Sequence, residues 1–291
     1  MILQRPALAK VNLALSVLGL RSDGYHQIES VMQTIDLADE VRIRPLRWGL
    51  HLTCHPSLSI PPDRNLAYRA AELFFRATSL HQGAEIVIRK KIPVAAGLGG
   101  GSADAAATLI LLNGVHGNPL SPMQLEELGG QLGSDVPFAM RQGTAWVAGR
   151  GEQVTSLTHS SSFHLVLAKP VGTFLSTRDV YTRYEPKEKS PKTMCAIVKA
   201  LKSNDITAMA GLLFNDLEET ACRMLPSIAS IKQELRQQGA VVALLSGSGP
   251  TVFGLFQQEN EAVRVAQTLA GKGYWTAAVH PVLSANSPDR E

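Results

Sequence analysis

Apolar and polar residues alternate in the first long stretch of the chain. In "ALAKVNLALSVL" apolar residues fall at positions 9, 11, 13, 15 and 17, which is the period of a β-strand with one buried face. Lys10 and Asn12 stand between them, so the pattern puts an ammonium and an amide side by side, pointing away from the core. The next residues, "RSDGYH", predict a turn with Asp23-Gly24 at its tightest point.

Further along the chain, helical and strand periods follow one another. Apolar residues at helical spacing predict a helix over residues 65–80, with Asn65 as its N-cap. The other predicted helices lie at about 103–113, 122–132, 193–203, 205–214 and 226–238, with one more near the C-terminus. Strands are predicted at 40–46, 49–55, 84–90 and 163–170, in a hairpin over 143–154, as two strands within 240–256, and after the last helix.

The order of these elements predicts the fold class. Strands and helices are interleaved in both halves without the regular alternation of a parallel doubly wound sheet, which favours an α+β architecture. The polar stretch "SLTHSSS" predicts a boundary near residue 158. We therefore expect one lobe over 1–158, a second over 159–283, and a disordered tail at 284–291.

Composition narrows the classes of protein that the chain can belong to. It has 291 residues, of which 45% are hydrophobic and 18% charged, and it has no apolar run near the roughly 18 residues that a membrane span needs. The opening "MILQRPALAK" lacks the apolar segment of a secretory signal. We expect a soluble, cytoplasmic protein with no membrane partner.

Charge and aromatic content bear on macromolecular partners. The net charge is +3 and aromatic residues make up 5% of the chain, which is too little to indicate nucleic-acid binding. No amphipathic, exposed seam stands out as a dimer surface. We therefore expect no nucleic-acid partner, and a monomer or a weak homodimer.

The histidines and cysteines do not predict a metal site. "HLTCH" holds His51, Cys54 and His55, but strand alternation sends Cys54 to the face opposite the two histidines. Cys195 and Cys222 are far from Cys54 and from each other. We expect reduced thiols and no structural zinc.

The stretch "PVAAGLGGGSADAA" is the most unusual in the chain. Gly97, Gly99, Gly100 and Gly101 would let main-chain N–H groups approach a ligand at the positive end of the following helix, an arrangement that suits phosphate. Ser102 can cap that helix or reach a phosphate oxygen or its metal. The alternative is a flexible turn before a capped helix.

Two common phosphate motifs do not match this loop. A Walker loop ends in Gly-Lys-Ser/Thr, whereas this one continues as Gly101-Ser102-Ala103. A dinucleotide fingerprint needs glycine at position 102 and an acidic residue about 20 positions later, where Pro122 stands. If the loop binds phosphate, it does so in another fold.

Five stretches in order, "AKVNLAL", "DGYH", "PVAAGLGGGSADAA", "LGSDVPF" and "LSGSGPTVFG", span residues 9 to 254. Together they resemble the GHMP kinases. The resemblance implies ATP-dependent phosphoryl transfer to an alcohol. It also implies an N-terminal lobe like ribosomal protein S5 domain 2 and a ferredoxin-like C-terminal lobe, with nucleotide and alcohol meeting in the cleft between them.

The same resemblance assigns an ATP site. Asn65 and Leu66 would lie near the adenine, and Gly247, Ser248 and Gly249 would close the site from the second lobe. The ATP phosphates would be cradled by Pro93, Val94, Ala95, Ala96, Gly97, Leu98, Gly99, Gly100, Gly101, Ser102 and Ala103.

Asp135 and Lys10 are the candidate catalytic residues. Asp135 lies on a turn between a predicted helix and Pro137, where it would accept the proton of the attacking hydroxyl; the alternative is an aspartate that only opens the next turn. A cation at Lys10 would hold Asp135 ionised and stabilise charge on the substrate oxygen. The alternative for Lys10 is an ordinary solvated strand residue.

"DGYH" bears on the substrate. Tyr25 can stack on a base and His26 can hydrogen-bond to a pyrimidine edge, and the resemblance assigns both, with Asn12, Gly247 and Ser248, to an alcohol that carries a cytidine diphosphate. A turn with a half-buried tyrosine, in a kinase for mevalonate, homoserine or a sugar, is the alternative.

Magnesium is expected to arrive with ATP and to be held by phosphates and water, because we find no convincing second acidic ligand. Asp104, in the first turn after the loop, could help to bind magnesium, turn outward, or cap the helix. The sequence leaves these alternatives open.

Overall fold

The computed structural model describes residues 2–158, 163–186, 194–203 and 205–283. Part of the predicted boundary segment, 159–162, and the predicted tail, 284–291, lie outside the described residues. The lobe boundary near residue 158 stays a prediction. No described helix combines the length and the apolar character that crossing a bilayer requires.

The strands follow the predicted order except for the two-residue β8, which was not predicted, and the first two are much longer than expected. β2 runs through 21 residues, of which only the last seven, 40–46, were predicted. The strands are β1 (Leu3–Leu20), β2 (His26–Leu46), β3 (Leu50–His55), β4 (Gly83–Arg89), β5 (Thr144–Gly149), β6 (Gln153–Leu157), β7 (His164–Pro170), β8 (Phe214–Asn215), β9 (Val242–Leu245), β10 (Val252–Phe256) and β11 (Tyr274–Val279).

The predicted helices are all present, and three short ones were missed: α4, α5 and α8. Asn65 caps α1 as expected, accepting a hydrogen bond from Ala67 N at 2.9 Å. A 3-10 turn precedes it at Pro62–Arg64. The helices are α1 (Leu66–Thr78), α2 (Gly100–Val115), α3 (Pro122–Leu132), α4 (Val136–Arg141), α5 (Thr177–Thr182), α6 (Met194–Lys202), α7 (Ile206–Leu212), α8 (Glu218–Met224), α9 (Ser227–Gln237) and α10 (Glu259–Gly271).

The chain divides into two compact units that do not follow chain order. The first contains residues 1–9, 37–94 and 99–141, and the second contains 10–36, 95–98 and 142–291. β1 and β2 each contribute to both units, and the glycine-rich stretch is divided between them.

The first unit packs helices against a sheet. β4 lies between β3, which runs parallel to it, and the C-terminal half of β2, which runs antiparallel. α1 lies against β3, β4 and α2, and the core that these elements share includes Phe74, Leu109 and Leu112, all fully buried. Ala-rich stretches of α2 allow this close packing.

The second unit holds the antiparallel sheet β11-β7-β10-β9. It also holds the N-terminal half of β2 with the hairpin β5–β6 that was predicted from sequence, and the parallel pairing of β1 with β8. Its core includes Leu235, Val252 and Val265, from α9, β10 and α10. The mixture of mostly antiparallel sheets and helices is the predicted α+β class.

Candidate active site

In the first unit the glycine-rich stretch opens a helix rather than preceding one. Gly99 has a φ of 71° and is the residue before α2, which begins at Gly100, about three residues earlier than predicted. Gly100, Gly101 and Ser102 therefore form the first turn, where N–H groups have no acceptor within the helix. Ser102 is not the cap. Free amides at a helix start are suited to binding an anion, and a phosphate site here stays a prediction.

A buried charge cluster anchors both sides of this helix start. Lys90 Nζ donates to Asp39 Oδ2 at 2.5 Å and to Asp104 Oδ2 at 2.6 Å. Asp39 Oδ1 accepts from the main-chain N–H groups of Lys91 at 2.5 Å and Ile92 at 2.8 Å. The chain that enters the loop is thus fixed to the same ammonium as Asp104, which lies just after the first turn of α2 and not in it as the sequence suggested. Asp104 does not turn outward.

The pKa values of Asp104 and Lys90 are shifted because both groups are buried and two carboxylates share one ammonium. Burial raises the pKa of Asp104 to about 7, and the Asp39 charge acts in the same direction, although Lys90 opposes both. Burial alone would lower the pKa of Lys90, but the two carboxylates outweigh it and raise that pKa. Asp104 Oδ1 is buried without a hydrogen-bond partner. Both Asp104 and Lys90 therefore keep their protons to a higher pH than they would in the unfolded chain.

The other predicted residues of the first unit flank α2 or stand at a helix start. A Cβ at Gly101 would lie 3.6 Å from Leu66 Cδ1, which places Leu66 beside the first turn of α2. The Asn65 oxygen is used as the α1 cap. Asp135 lies on a turn, as predicted, immediately before α4, and its carbonyl accepts from Ala139 N at 3.0 Å.

In the second unit Lys10 and Asn12 share a face of β1, as predicted, but they do not point to solvent. Lys10 is 7% exposed and Asn12 2%. Lys10 Nζ donates to Asn12 Oδ1 at 2.7 Å, and Asn12 Nδ2 donates to Ser30 Oγ at 2.8 Å. This chain of hydrogen bonds satisfies the amide and orients the ammonium, so both faces of β1 carry buried side chains.

Residues 95–98 of the loop pack closely against the turn at residues 246–249, which we call the second glycine turn. Gly97 has a φ of 77°, and a Cβ there would lie 2.3 Å from the carbonyl oxygen of Ser246. Ser246 Oγ donates to the Gly97 carbonyl at 3.0 Å. A Cβ at Gly247 would lie 3.4 Å from Lys10 Nζ. Residues 95–98, the second glycine turn and the Lys10 ammonium are therefore neighbours.

Sequence reasoning missed the residues that hold the second glycine turn. Asn215 Nδ2 donates to the carbonyls of Leu245 at 2.9 Å and Gly247 at 2.8 Å. Thr177 Oγ1 and Ser248 Oγ are 2.8 Å apart. Asn215 is 30 residues or more from these partners, and no local pattern in the sequence signals such contacts.

Tyr25 and His26 lie at an aromatic cluster. Tyr25 is half exposed, and the Arg150 guanidinium carbon lies 5.2 Å from the centre of its ring. The His26 ring lies 5.1 Å from that of Tyr181 and 6.4 Å from that of Tyr184. Such a surface can stack on a flat heteroaromatic ring. Arg150, Tyr181 and Tyr184 were not predicted.

Comparisons with known proteins show the family of this chain. The family description "GHMP kinases N terminal domain" matches residues 65–143, and "GHMP kinases C terminal" matches 197–274. A protein of Pelotomaculum thermopropionicum named 4-diphosphocytidyl-2-C-methyl-D-erythritol kinase is 46% identical over 268 residues, 91% of this chain and 93% of that protein. This chain belongs to the GHMP kinases.

Two further relatives of this GHMP kinase carry the same or a closely similar name. One, from Desulfitobacterium hafniense, is 41% identical and covers 96% of each chain. The other is a crystal structure of 4-(cytidine 5'-diphospho)-2C-methyl-D-erythritol kinase, with a TM-score of 0.81, 33% identity, and coverage of 96% of this chain and 99% of that one. Fold and family predictions are thereby confirmed, and the chain is a small-molecule kinase that uses ATP.

Some candidate residues of the kinase lie within the two family matches and others lie outside them. The N-terminal match contains Asn65, the glycine-rich stretch and Asp135, and the C-terminal match contains Gly247 and Ser248. Lys10, on β1, lies outside both matches. The roles of all these residues stay predictions.

Proposed function

We propose that this GHMP kinase transfers the terminal phosphate of ATP to the 2-hydroxyl of 4-diphosphocytidyl-2-C-methyl-D-erythritol, giving the 2-phosphate and ADP in the methylerythritol phosphate route to isoprenoids. The observation that carries the proposal is identity of 46% over nearly the whole length of a kinase with that substrate in its name. The half-exposed Tyr25 beside His26 and Arg150 supports it, because these groups suit a pyrimidine base.

Asp135 and Lys10 would carry the chemistry. Asp135 would accept the proton of the attacking hydroxyl as the oxygen approaches phosphorus. Lys10, oriented by Asn12, would stabilise negative charge on that oxygen. The Lys10–Asn12–Ser30 chain of hydrogen bonds would keep the ammonium in place, so no reorganisation is needed during transfer.

The glycine-rich stretch fits the phosphates of ATP. Gly97 has no room for a side chain, and the first turn of α2 directs main-chain N–H groups outward. Magnesium, when bound with ATP, would neutralise phosphate charge. Ser102 fits that ion as a hydroxyl oxygen donor. Asp104 fits it poorly, because its Oδ2 is bonded to Lys90 and the carboxylate is buried.

An ADP-release assay with candidate alcohols tests the proposal. We expect saturable turnover with the diphosphocytidyl alcohol and a product phosphorylated at the 2-hydroxyl, identified by phosphorus NMR. Turnover with mevalonate, homoserine or a sugar, but not with the diphosphocytidyl alcohol, would support another kinase of the family. No ADP release with any alcohol would indicate a nucleotide-binding protein without catalysis.

Two substitutions test the catalytic roles. Asp135→Ala and Lys10→Ala should each lower kcat by about 10²–10⁴-fold, the usual contribution of a positioned acid or base, with little change in the Kd for ATP. Asp63→Ala and Lys91→Ala are matched controls, since both side chains are exposed, and they should keep wild-type turnover. Wild-type kcat in a well-folded Asp135→Ala or Lys10→Ala variant would refute that residue's role.

A further inference from the structure

A group of three side chains outside the candidate active site has the composition of a metal site. His164, Glu259 and His280 each offer a ligand atom, and these atoms lie within 4.8 Å of one another. The residues are far apart in sequence, and the two histidines are separated by 116 positions. They belong to the second unit, and none of them is among the residues proposed for ATP binding or phosphoryl transfer.

The backbone holds the two histidines opposite one another. β7 and β11 are antiparallel, with Leu165 paired to Val279, so His164 and His280 face each other one position further along. The main-chain N–H of His280 donates to Asp36 Oδ1 at 2.8 Å, and its carbonyl accepts from Asp36 N at 3.0 Å. The ligand positions therefore lie on firmly paired backbone.

The ring geometry suits a shared cation. The two Nδ1 atoms are 3.1 Å apart, and the ring planes meet at 83°. Two nitrogens each about 2.0–2.1 Å from a tetrahedral zinc would be ~3.3 Å apart, so a shift of a few tenths of an ångström accommodates the ion.

Glu259 supplies the negative charge and has the freedom to reach an ion. Its Oε1 lies 3.4 Å from His280 Nε2, and its side chain is 64% exposed. It stands at the first residue of α10. Two imidazoles and one carboxylate, with a position left for water, are a known zinc ligand set, and such donors favour zinc and its first-row neighbours over magnesium or calcium.

We propose that His164, Glu259 and His280 form a binding site for one divalent transition-metal ion of the zinc class. Binding replaces the contact between the two Nδ1 atoms by two metal–nitrogen bonds, and the proton that one Nδ1 carries moves through solvent to Nε2 of the same ring, so each histidine stays neutral. The ion would link the start of β7, the start of α10 and the end of β11. The site is independent of the proposed kinase activity.

Zinc titration of the purified, metal-stripped chain tests the site. We expect one zinc per chain by calorimetry, and at zinc concentrations near 100 times Kd a ~100-fold rise in the ratio of folded to unfolded protein. His164→Gln and His280→Gln should each weaken binding at least tenfold, and Glu259→Gln less. His51→Gln, which removes an exposed histidine of β3, is the matched control and should bind as wild type does.

Two results would overturn the proposal. One is the absence of stoichiometric binding, or binding that His164→Gln and His280→Gln leave unchanged. The other comes from X-ray absorption of the zinc-loaded wild type, which needs no variant to fold. Imidazole scattering with oxygen is expected, whereas sulfur ligands would assign the zinc to the free thiols of Cys54, Cys195 or Cys222.

Discussion

Replacing Lys90 with methionine would measure what the buried charge cluster contributes. Lys90, Asp39 and Asp104 have side chains that are 7%, 0% and 5% exposed. Methionine keeps most of the apolar volume but leaves two buried carboxylates without their cation. Breaking a buried pair in this way costs about 3–5 kcal/mol, a large part of the roughly 5–15 kcal/mol that stabilises a domain.

Urea unfolding followed by circular dichroism would give this free energy. Lys91→Met is the matched control, because the neighbouring side chain is exposed and its loss should change the free energy of unfolding by no more than about 0.5 kcal/mol. Because Asp39 also fixes the N–H groups of Lys91 and Ile92, Lys90→Met should raise the KM for ATP as well. Equal stability of the two variants would refute the reasoning.

Asp104→Asn tests the ionisation of the same cluster. The pKa of Asp104 rises from 3.8 to about 7 on folding, so the folded protein keeps a proton that the unfolded chain has lost. The free energy of unfolding from this group therefore falls as pH rises from about 4 to about 7 and is level above that range. Asp104→Asn should lack this decline. A stability difference from wild type that stays constant across the range would contradict the pKa.

Two further substitutions test the ligand-binding surfaces. Gly97→Ala should abolish ATP binding measured by fluorescence, because the new Cβ would collide with the carbonyl of Ser246. Gly172→Ala is the control, because Gly172 also has a positive φ but has open space around it. This variant should bind ATP normally and lose only about 1 kcal/mol of stability. Tyr25→Leu should raise the KM for the cytidyl alcohol at least tenfold, because stacking on the base is lost. Tyr68→Leu, on α1, is the control and should leave this KM unchanged. The same KM in the Tyr25→Leu and Tyr68→Leu variants would show that Tyr25 does not belong to the substrate site.

Local patterns in the sequence predicted much of the fold. The alternation in β1, the Asn65 cap and the β5–β6 hairpin all depend on neighbouring residues, and each is present. The N-terminal half of β2 was missed because polar residues on it are buried. Gln33, for example, is fully buried and bonded to Thr144 Oγ1 at 2.5 Å, so the strand shows no alternation of apolar and polar positions.

The candidate site was predictable only where a motif carries the signal. Glycine's low helix propensity favours a loop at Gly100 and Gly101, yet α2 begins there, with Asp104 tied to Lys90. Asp39 is 51 residues from Lys90, and nothing in the spacing indicates their contact. Tertiary contacts of this kind decide where the loop ends and which side chains are buried.

The interleaving of the two compact units has a consequence for anyone who wishes to divide this protein. Because residues 10–36 and 95–98 belong with the C-terminal half of the chain, no single cut in the gene yields two fragments that each encode one whole unit. Expression of a C-terminal half alone would lack its β1 and β2 segments, with Lys10 among them. Split reporters or separately purified halves would have to rely on reassembly.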